Sequence, residues 1–317
     1  MVRRDPNMAD DGVTFGWVIR PSTDVAGAED TRGAGAVTTA LLEQDRAFIE
    51  ALPAQFTTLW VEDHFQWGVN PTLEAFTTMA YFAALYPQLR MGSIVLGQSY
   101  RNPALTAKMA ATLQALTGGR FILGLGAGWK QDEYEAYGYP FPGAGARIEQ
   151  LDEAVQIVRA MFTASPASFS GRHYTIENAY CEPRPTPPIP LMIGGSGEKK
   201  TLRVVARYAD MWNGAFSTSE AYAAKQAVLA EHCRAVGRDP HEITHTYYGI
   251  VTLGDAPAAA GTSGMHFLSG GPEQVATEVR AFIALGVRHF MLGFTDFPSQ
   301  VGLRRFTQEV LPALGLP

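Results

Sequence analysis

From Pro190 to Asn213 the chain reads PLMIGGSGEKKTLRVVARYADMWN, and the spacing of its apolar residues changes twice. Leu191, Met192 and Ile193 form a short unbroken apolar run, the pattern of a strand covered on both faces. Gly194, Gly195, Ser196 and Gly197 turn the chain. From Glu198 the period becomes helical, with Leu202, Val205, Ala206 and Ala209 on one face. Asp210 closes that face, and Met211, Trp212 and Asn213 open the next apolar run. The stretch is a strand, a glycine turn, a helix and a second strand.

The same unit recurs along the chain. Val13–Ile19 reads as the first strand, Pro21–Gly35 as a Gly- and Ala-rich loop, and Val37–Leu52 as a helix with Leu41, Leu42, Phe48, Ile49 and Leu52 inward. Thr57–Val61 is the second strand and ends in Glu62, Asp63 and His64. Asn70 with Pro71 reads as cap and first residue of a helix running to about Tyr86. Leu89–Leu96 is the third strand. Asn102 and Pro103 repeat the cap signal, Leu105, Met109, Leu113 and Leu116 form the next helical stripe, and Gly118 stops it. Phe121–Leu125 is the fourth strand, and Arg147–Phe162 is a helix with Ile148, Leu151, Val155 and Val158 inward. Residues 163–189 break the alternation with hairpin-like and proline-rich sequence.

After the unit described first, Met211–Phe216 continues as the sixth strand, and Ser217 with Glu220 reads as a capping box for a helix to Val236. Ile243–Leu253 is the seventh strand, and Asp255–Gly264 a low-complexity loop. Pro272–Leu285 is a helix, His289–Phe294 the eighth strand, and a last helix fills residues 299–314. Eight units in 317 residues suit a (β/α)8 TIM barrel with an insertion between units four and five. A doubly wound sheet is the rival, favoured by shorter chains with fewer units. Residues 12–317 read as one such domain behind a loose tail at residues 1–11.

The glycine turn has two uses. A helix start presents unpaired N–H groups, and glycines let an anion approach them closely. Lys199 and Lys200, placed where the helix dipole disfavours cations, fit either a bound anion or two solvated side chains. The plainer reading of the turn is a tight strand–helix loop.

Composition narrows the function classes. Apolar residues make up 46% and charged residues 18%, as in an ordinary globular protein. A net charge of −6 gives no sign of a nucleic acid or an anionic membrane as partner. No apolar stretch approaches a membrane span, and the basic N-terminus lacks the apolar core of a signal peptide. Cys181 and Cys233 form neither a disulfide framework nor a metal spacing, which suits a reducing cytoplasm. Nothing matches a zinc helix, a nucleophile elbow, a P-loop or a dinucleotide fingerprint.

In such a barrel, chemistry collects at the C-terminal ends of the strands. That rim carries Glu62, Asp63 and His64, then Ser93 and Gln98, then Gly126 to Trp129, Gly194 to Gly197, and Asn213. Phe65, Trp67, Trp129, Tyr134 and Trp212 lie near it. A flat apolar ring with a phosphate tail suits that mixture, and so does a set of aromatics that caps the barrel core.

The segments Leu59–Phe65, Tyr100–Gly128, Tyr134–Pro140 and Pro188–Asn213, in this order of units, resemble the luciferase-like monooxygenase superfamily. The likeness is greatest to its branch of oxidoreductases that use the deazaflavin coenzyme F420. The resemblance implies that Gly194, Gly195, Ser196 and Gly197 hold the cofactor phosphate. It implies that Asp63 and His64 face the ring, with His64 as acid or base, and that Gly126 and Trp129 lie at the cofactor. It also implies a non-proline cis peptide within Ser93–Ile94–Val95, at either of its two bonds, behind the ring. Trp129 stands where sugar-phosphate dehydrogenases of the branch have a glutamate, which argues against that substrate. The aromatic rim suggests an uncharged or hydrophobic small molecule instead. Histidine is a common acid–base group near neutral pH, but His64 could also merely cap its strand.

Three functions stay open at this stage. One is an F420-dependent hydride-transferring oxidoreductase, and the second an FMN-dependent monooxygenase of the alkanesulfonate type using reduced FMN and O2. The third is a flavin-binding barrel without catalysis. Relatives of this kind are often homodimers, and the residues carry no interface signal of their own.

Overall fold

The apolar runs become eight parallel strands: β1 (Thr14–Ile19), β2 (Phe56–Val61), β3 (Arg90–Ser93), β4 (Phe121–Gly126), β5 (Leu191–Gly194), β6 (Met211–Ala215), β7 (Thr244–Leu253) and β8 (Val287–Phe294). Each pairs with the next, and β8 returns to β1 with Thr14 opposite His289 and Trp17 opposite Leu292. The sheet is therefore a closed TIM barrel. The structure is a computed structural model and describes residues 12–19, 34–254 and 265–316. The tail at residues 1–11, most of the loop 21–35 and the loop 255–264 lie outside the described residues.

The helices that cover the barrel are α1 (Ala34–Glu50), α2 (Ala75–Leu85), α3 (Pro103–Leu116), α4 (Ala144–Thr163), α5 (Thr201–Tyr208), α6 (Ser219–Ala235) and α7 (Pro272–Ala284). The C-terminal segment runs Val301–Arg305, a π-helical turn Phe306–Val310, and Leu311–Ala313. No helix among the described residues is long and apolar enough to cross a membrane. The expected insertion is an antiparallel hairpin, Ala167–Ser170 with Thr175–Ala179. Cys181 and Cys233 are both free and buried.

Side chains alternate between two cores, as the period of a strand requires. Outward residues such as Leu59, Val61, Leu123 and Ile193 pack against the helices. Inward residues Val18, Trp60, Ile122, Met192, Met211 and Met291 fill the barrel. Trp60 lies between β1 and β3, and only glycines admit it. A Cβ on Gly16 would stand 2.4 Å from its Nε1, and one on Gly92 2.3 Å from its ring. The indole N–H donates to His289 Nε2 at 3.0 Å, and His289 Nδ1 meets Thr14 Oγ1 at 2.8 Å. Burial, helped by the charge of Arg90, lowers the His289 pKa to about 3, so the imidazole is neutral and can accept that bond.

Four local expectations are corrected. Asn70 does not cap α2, because its backbone closes a turn on Trp67 O at 3.2 Å. The helix begins later, with Glu74 accepting the Phe76 and Thr77 amides at 3.1 and 2.8 Å. The stripe on α3 is also different: Leu105 and Leu116 are exposed. Its buried face is Ala107, Ala110, Ala111, Leu113 and Gln114. Small residues let α3 approach closely, and Gln114 bonds Pro187 O and the Phe121 amide at 2.7 and 2.9 Å. Thr218, not Ser217, caps α6, its hydroxyl accepting the Ala221 amide at 3.3 Å. Finally, α5 starts at Thr201, so Lys199 and Lys200 precede its first turn, and Lys200 pairs with Glu149 at 2.7 Å.

On α1, Asp45 is fully buried, and neither carboxylate oxygen has a partner among the described residues. Burial holds its pKa well above the usual value. The folded state therefore binds a proton that the unfolded state has released, and stability falls as pH rises above the unfolded value. Asp45→Asn is expected to raise the melting temperature at pH 7 and to leave it unchanged below about pH 4, where both states of the wild type are protonated. Thermal melts across that range check it, and a melting temperature at pH 7 no higher than wild type would refute it.

Candidate active site

The end of β2 sets the site. Trp60 points into the barrel and Val61 outward, so alternation turns Glu62 inward and Asp63 outward. Glu62 Oε1 accepts the hydroxyl of Tyr248, an inward residue of β7, at 3.1 Å. Asp63 is bound on both oxygens by Arg101, at 2.9 Å each, and accepts the Gly97 amide at 3.0 Å. Arg101 also reaches Glu74 at 2.5 Å, so this pair ties β2 to the start of α2 and to the segment after β3.

His64 follows, with only 8% of its surface exposed. Its Nδ1 lies 2.8 Å from Glu133 Oε2, and its Nε2 has no partner among the described residues. Trp67 and Trp129 stand edge-on to the imidazole, with centroids at 5.0 and 5.7 Å. Both tryptophans are exposed, and Lys130 Nζ sits 5.2 Å over the Trp67 ring. Burial alone would lower the His64 pKa, but the Glu133 bond and the charges of Glu62, Glu133 and Asp63 outweigh it and raise the pKa above the ordinary value. Burial pushes Glu133 up, yet its bonds from His64 and from the Gln66 and Phe65 amides leave its pKa lowered.

After β3 the backbone turns sharply. Ser93 is buried, and its hydroxyl bridges both backbone groups of Gly124, at 3.0 Å to O and 2.9 Å to N. Ile94 joins the barrel interior, and the peptide bond Ile94–Val95 is cis, the second of the two expected positions. The methyls of Val95 occupy the places where side chains on Gly126 and Gly194 would stand: a Cβ there would lie 2.6 and 2.9 Å from them. Val95, Gly126 and Gly194 thus form one smooth surface across the ends of β3, β4 and β5.

The glycine turn borders that surface. Gly195 has φ +118°, a conformation in which a side chain is strained. Its amide bonds Asn213 O at 3.3 Å, and its carbonyl accepts Trp212 Nε1 at 2.9 Å. Those anchors leave Ser196 and Gly197 exposed, with amides unpartnered among the described residues. A cavity of about 50 Å³ beside the turn is lined by Ser196, Gly214, Ser217, Tyr222 and Lys225. The larger cavity, about 460 Å³ near Pro53, Phe56, Tyr86 and Leu89, is at the opposite, N-terminal face of the barrel, away from this rim.

Several rim residues serve packing. Trp212 is buried against Tyr222 and holds the glycine turn, while Tyr134 is buried against Tyr100 with its hydroxyl on Ser99 at 2.8 Å. Asn213 bonds Thr246 inside the barrel, and Gln98 accepts the Tyr174 hydroxyl from the inserted hairpin. Among the other histidines, His266 pairs with Glu278 and His245 with Gln226, away from His64. No group of three or more His, Cys, Asp or Glu among the described residues could hold a metal.

The residues that the sequence reading missed are Glu133, on a short helix Gln131–Ala136, with its neighbour Tyr100, and Tyr248, whose hydroxyl donates to Glu62 in the mouth. Nothing in the residue pattern separates Glu133, which is fully buried, from the exposed Asp132 and Glu135 beside it.

A family model for luciferase-like monooxygenases matches residues 50–268. An uncharacterized protein of Mycobacterium tuberculosis is 40% identical over 143 residues, 45% of this chain and 48% of that one. Pyrimidine monooxygenase RutA of Stutzerimonas stutzeri is 29% identical over 209 residues, 64% of this chain and 56% of the relative. The chain spans about half the length of these curated relatives. Among solved structures, an F420-dependent secondary alcohol dehydrogenase in complex with an F420–acetone adduct superposes with a TM-score of 0.79 at 19% identity, covering 96% of this chain and 99% of that one. EDTA monooxygenase from Chelativorans sp. BNC1 does so with a TM-score of 0.76 at 13% identity, covering 96% and 99%. At such identities these two speak for the barrel alone. The match over residues 50–268 carries the assignment: the chain belongs to the luciferase-like monooxygenase family.

Proposed function

We propose that the chain is an oxidoreductase that uses the deazaflavin F420 to move hydride to or from a small organic substrate, while His64 moves the accompanying proton. The observation that carries this reading is the placement of His64. It is a nearly buried imidazole whose Nε2 has no partner among the described residues, on the same rim as the smooth surface of Val95, Gly126 and Gly194 and the amides of Ser196 and Gly197, which are unpartnered among those residues too.

These residues fit such a cofactor. Gly126 and Gly194 let the Val95 methyls settle close to the backbone, so that Val95 offers a flat ring a low apolar surface, and the two amides suit an oxyanion. Ser93 and Asp63 serve indirectly, by holding the segments that bear Val95 and His64. The bound deazaflavin supplies the hydride chemistry. Nε2 of His64 supplies a proton to a substrate oxygen in reduction, or takes one in oxidation. The half-open rings of Trp67 and Trp129 favour an uncharged or hydrophobic substrate.

A second reading is an FMN-dependent monooxygenase: the RutA match supports the monooxygenase part, and the same surface suits a flavin ring. Fluorescence titration of the purified protein separates the two. Micromolar binding of F420 with much weaker binding of FMN is expected. Micromolar FMN binding without F420 binding would overturn the first reading in favour of the second.

A further inference from the structure

We propose that Glu133 is a positioning residue that holds His64 in a single tautomer, Nδ1–H toward the protein, and so makes Nε2 the nitrogen that exchanges the proton. This deepens the reading of His64 given above and rests on it.

The geometry leaves Glu133 little choice of state. Its side chain is fully buried. Oε1 accepts the amides of Phe65 and Gln66 at 2.7 and 3.0 Å, and Oε2 faces His64 Nδ1 at 2.8 Å and the Tyr100 hydroxyl at 3.2 Å. An ionised carboxylate has about four acceptor positions and no donor, and here all four are met by groups able to donate. The two amides can only donate, which fixes Oε1 as an acceptor. A carboxylate in that state cannot give a proton to imidazole. Nδ1 must therefore carry the hydrogen, whether His64 is neutral or charged.

The surroundings reinforce this. The charged or titratable groups that face His64 are Glu62 and Asp63 from its own segment, Glu133 from the short helix, and Tyr100 from the segment after β3. Arg101 offsets Asp63, and Lys130, which lies over the Trp67 ring, is paired with Asp132. The balance of charge near the imidazole is negative, which favours its protonated form.

Glu133→Gln keeps the shape and removes the charge. Its carboxamide can still accept the two amides through oxygen, but it then turns an N–H toward Nδ1. That forces the proton onto Nε2 of the neutral ring, the wrong nitrogen for a base. Ring NMR of histidine-labelled protein reads this without any cofactor, with His64→Ala identifying the resonances. In the wild type, His64 is expected to titrate above about 6.5 and to be the Nδ1–H tautomer when neutral. In Glu133→Gln the midpoint is expected to fall by about one unit or more and the tautomer to switch. Turnover should fall about tenfold or more while cofactor affinity is kept.

Equal midpoints and tautomers in the two proteins would overturn the proposal. Should Glu133→Gln not fold, the wild-type spectrum still decides: an Nε2–H tautomer there overturns it, and Nδ1–H supports it. If the spectra are as expected but His64→Ala turns over normally, the dyad stands as structure, and it is the acid–base reading of His64 that fails.

Discussion

His64→Ala is expected to lower turnover about 100- to 10,000-fold and to leave cofactor affinity unchanged. The expected size is that of losing a positioned acid–base group, the role proposed for His64, while the surfaces proposed for the ring and its phosphate lie on other residues. The pH profile carries the sign. The pKa of His64 is raised, so the imidazolium persists to higher pH than in a free side chain. In reduction, where Nε2 donates, kcat is expected to be level at low pH and to fall as pH rises through that raised pKa. In oxidation, where Nε2 accepts, kcat rises through the same pKa. Steady-state rates of wild type and variant across pH 5 to about 9 test both points. Wild-type turnover in the variant, or a profile with neither limb, removes His64 from the reaction.

Arg101→Met destabilises the fold by about 3–5 kcal/mol, the usual cost of leaving one partner of a buried pair alone. Asp63 has no exposed side-chain surface and Arg101 only 10%, so water cannot replace the lost guanidinium. The double variant Asp63→Asn with Arg101→Met recovers much of the loss, because the replacement carboxamide carries no charge and can still accept the Gly97 amide. Denaturant melts of the two variants measure the difference. A single-variant loss below about 1 kcal/mol, or a double variant no more stable than the single, would contradict a buried ion pair. Asp63→Asn alone is expected to change stability far more than cofactor affinity, which melts and a fluorescence titration of that variant check.

The barrel was legible because its signals are local. Apolar runs of strand length, amphipathic stretches of helix length and cap residues such as Asn102 depend on neighbours a few positions away, and they marked eight strands in order. The misreadings arose where a distant contact outweighed a local preference. Asn70 yielded the cap of α2 to Glu74, which is also held by Arg101. Leu105 and Leu116 of the α3 stripe faced outward because alanines, Leu113 and Gln114 made the closer fit.

The site divides along the same line. The strand ends already pointed to His64, Ser93 and the glycine turn, since position along a strand fixes which end of a barrel a residue reaches, while the segment Ser93–Val95 came from the family resemblance. Their partners could not be read that way. Glu133 meets His64 across 69 residues of sequence, and Arg101 meets Asp63 across 38. Whether a carboxylate is a solvated surface charge or a buried partner depends on which segments close over it, and chain order carries no record of that closure. Val95, from the turn after β3, meets Gly126 and Gly194 at the ends of β4 and β5 in the same way, and only packing turns those residues into one surface.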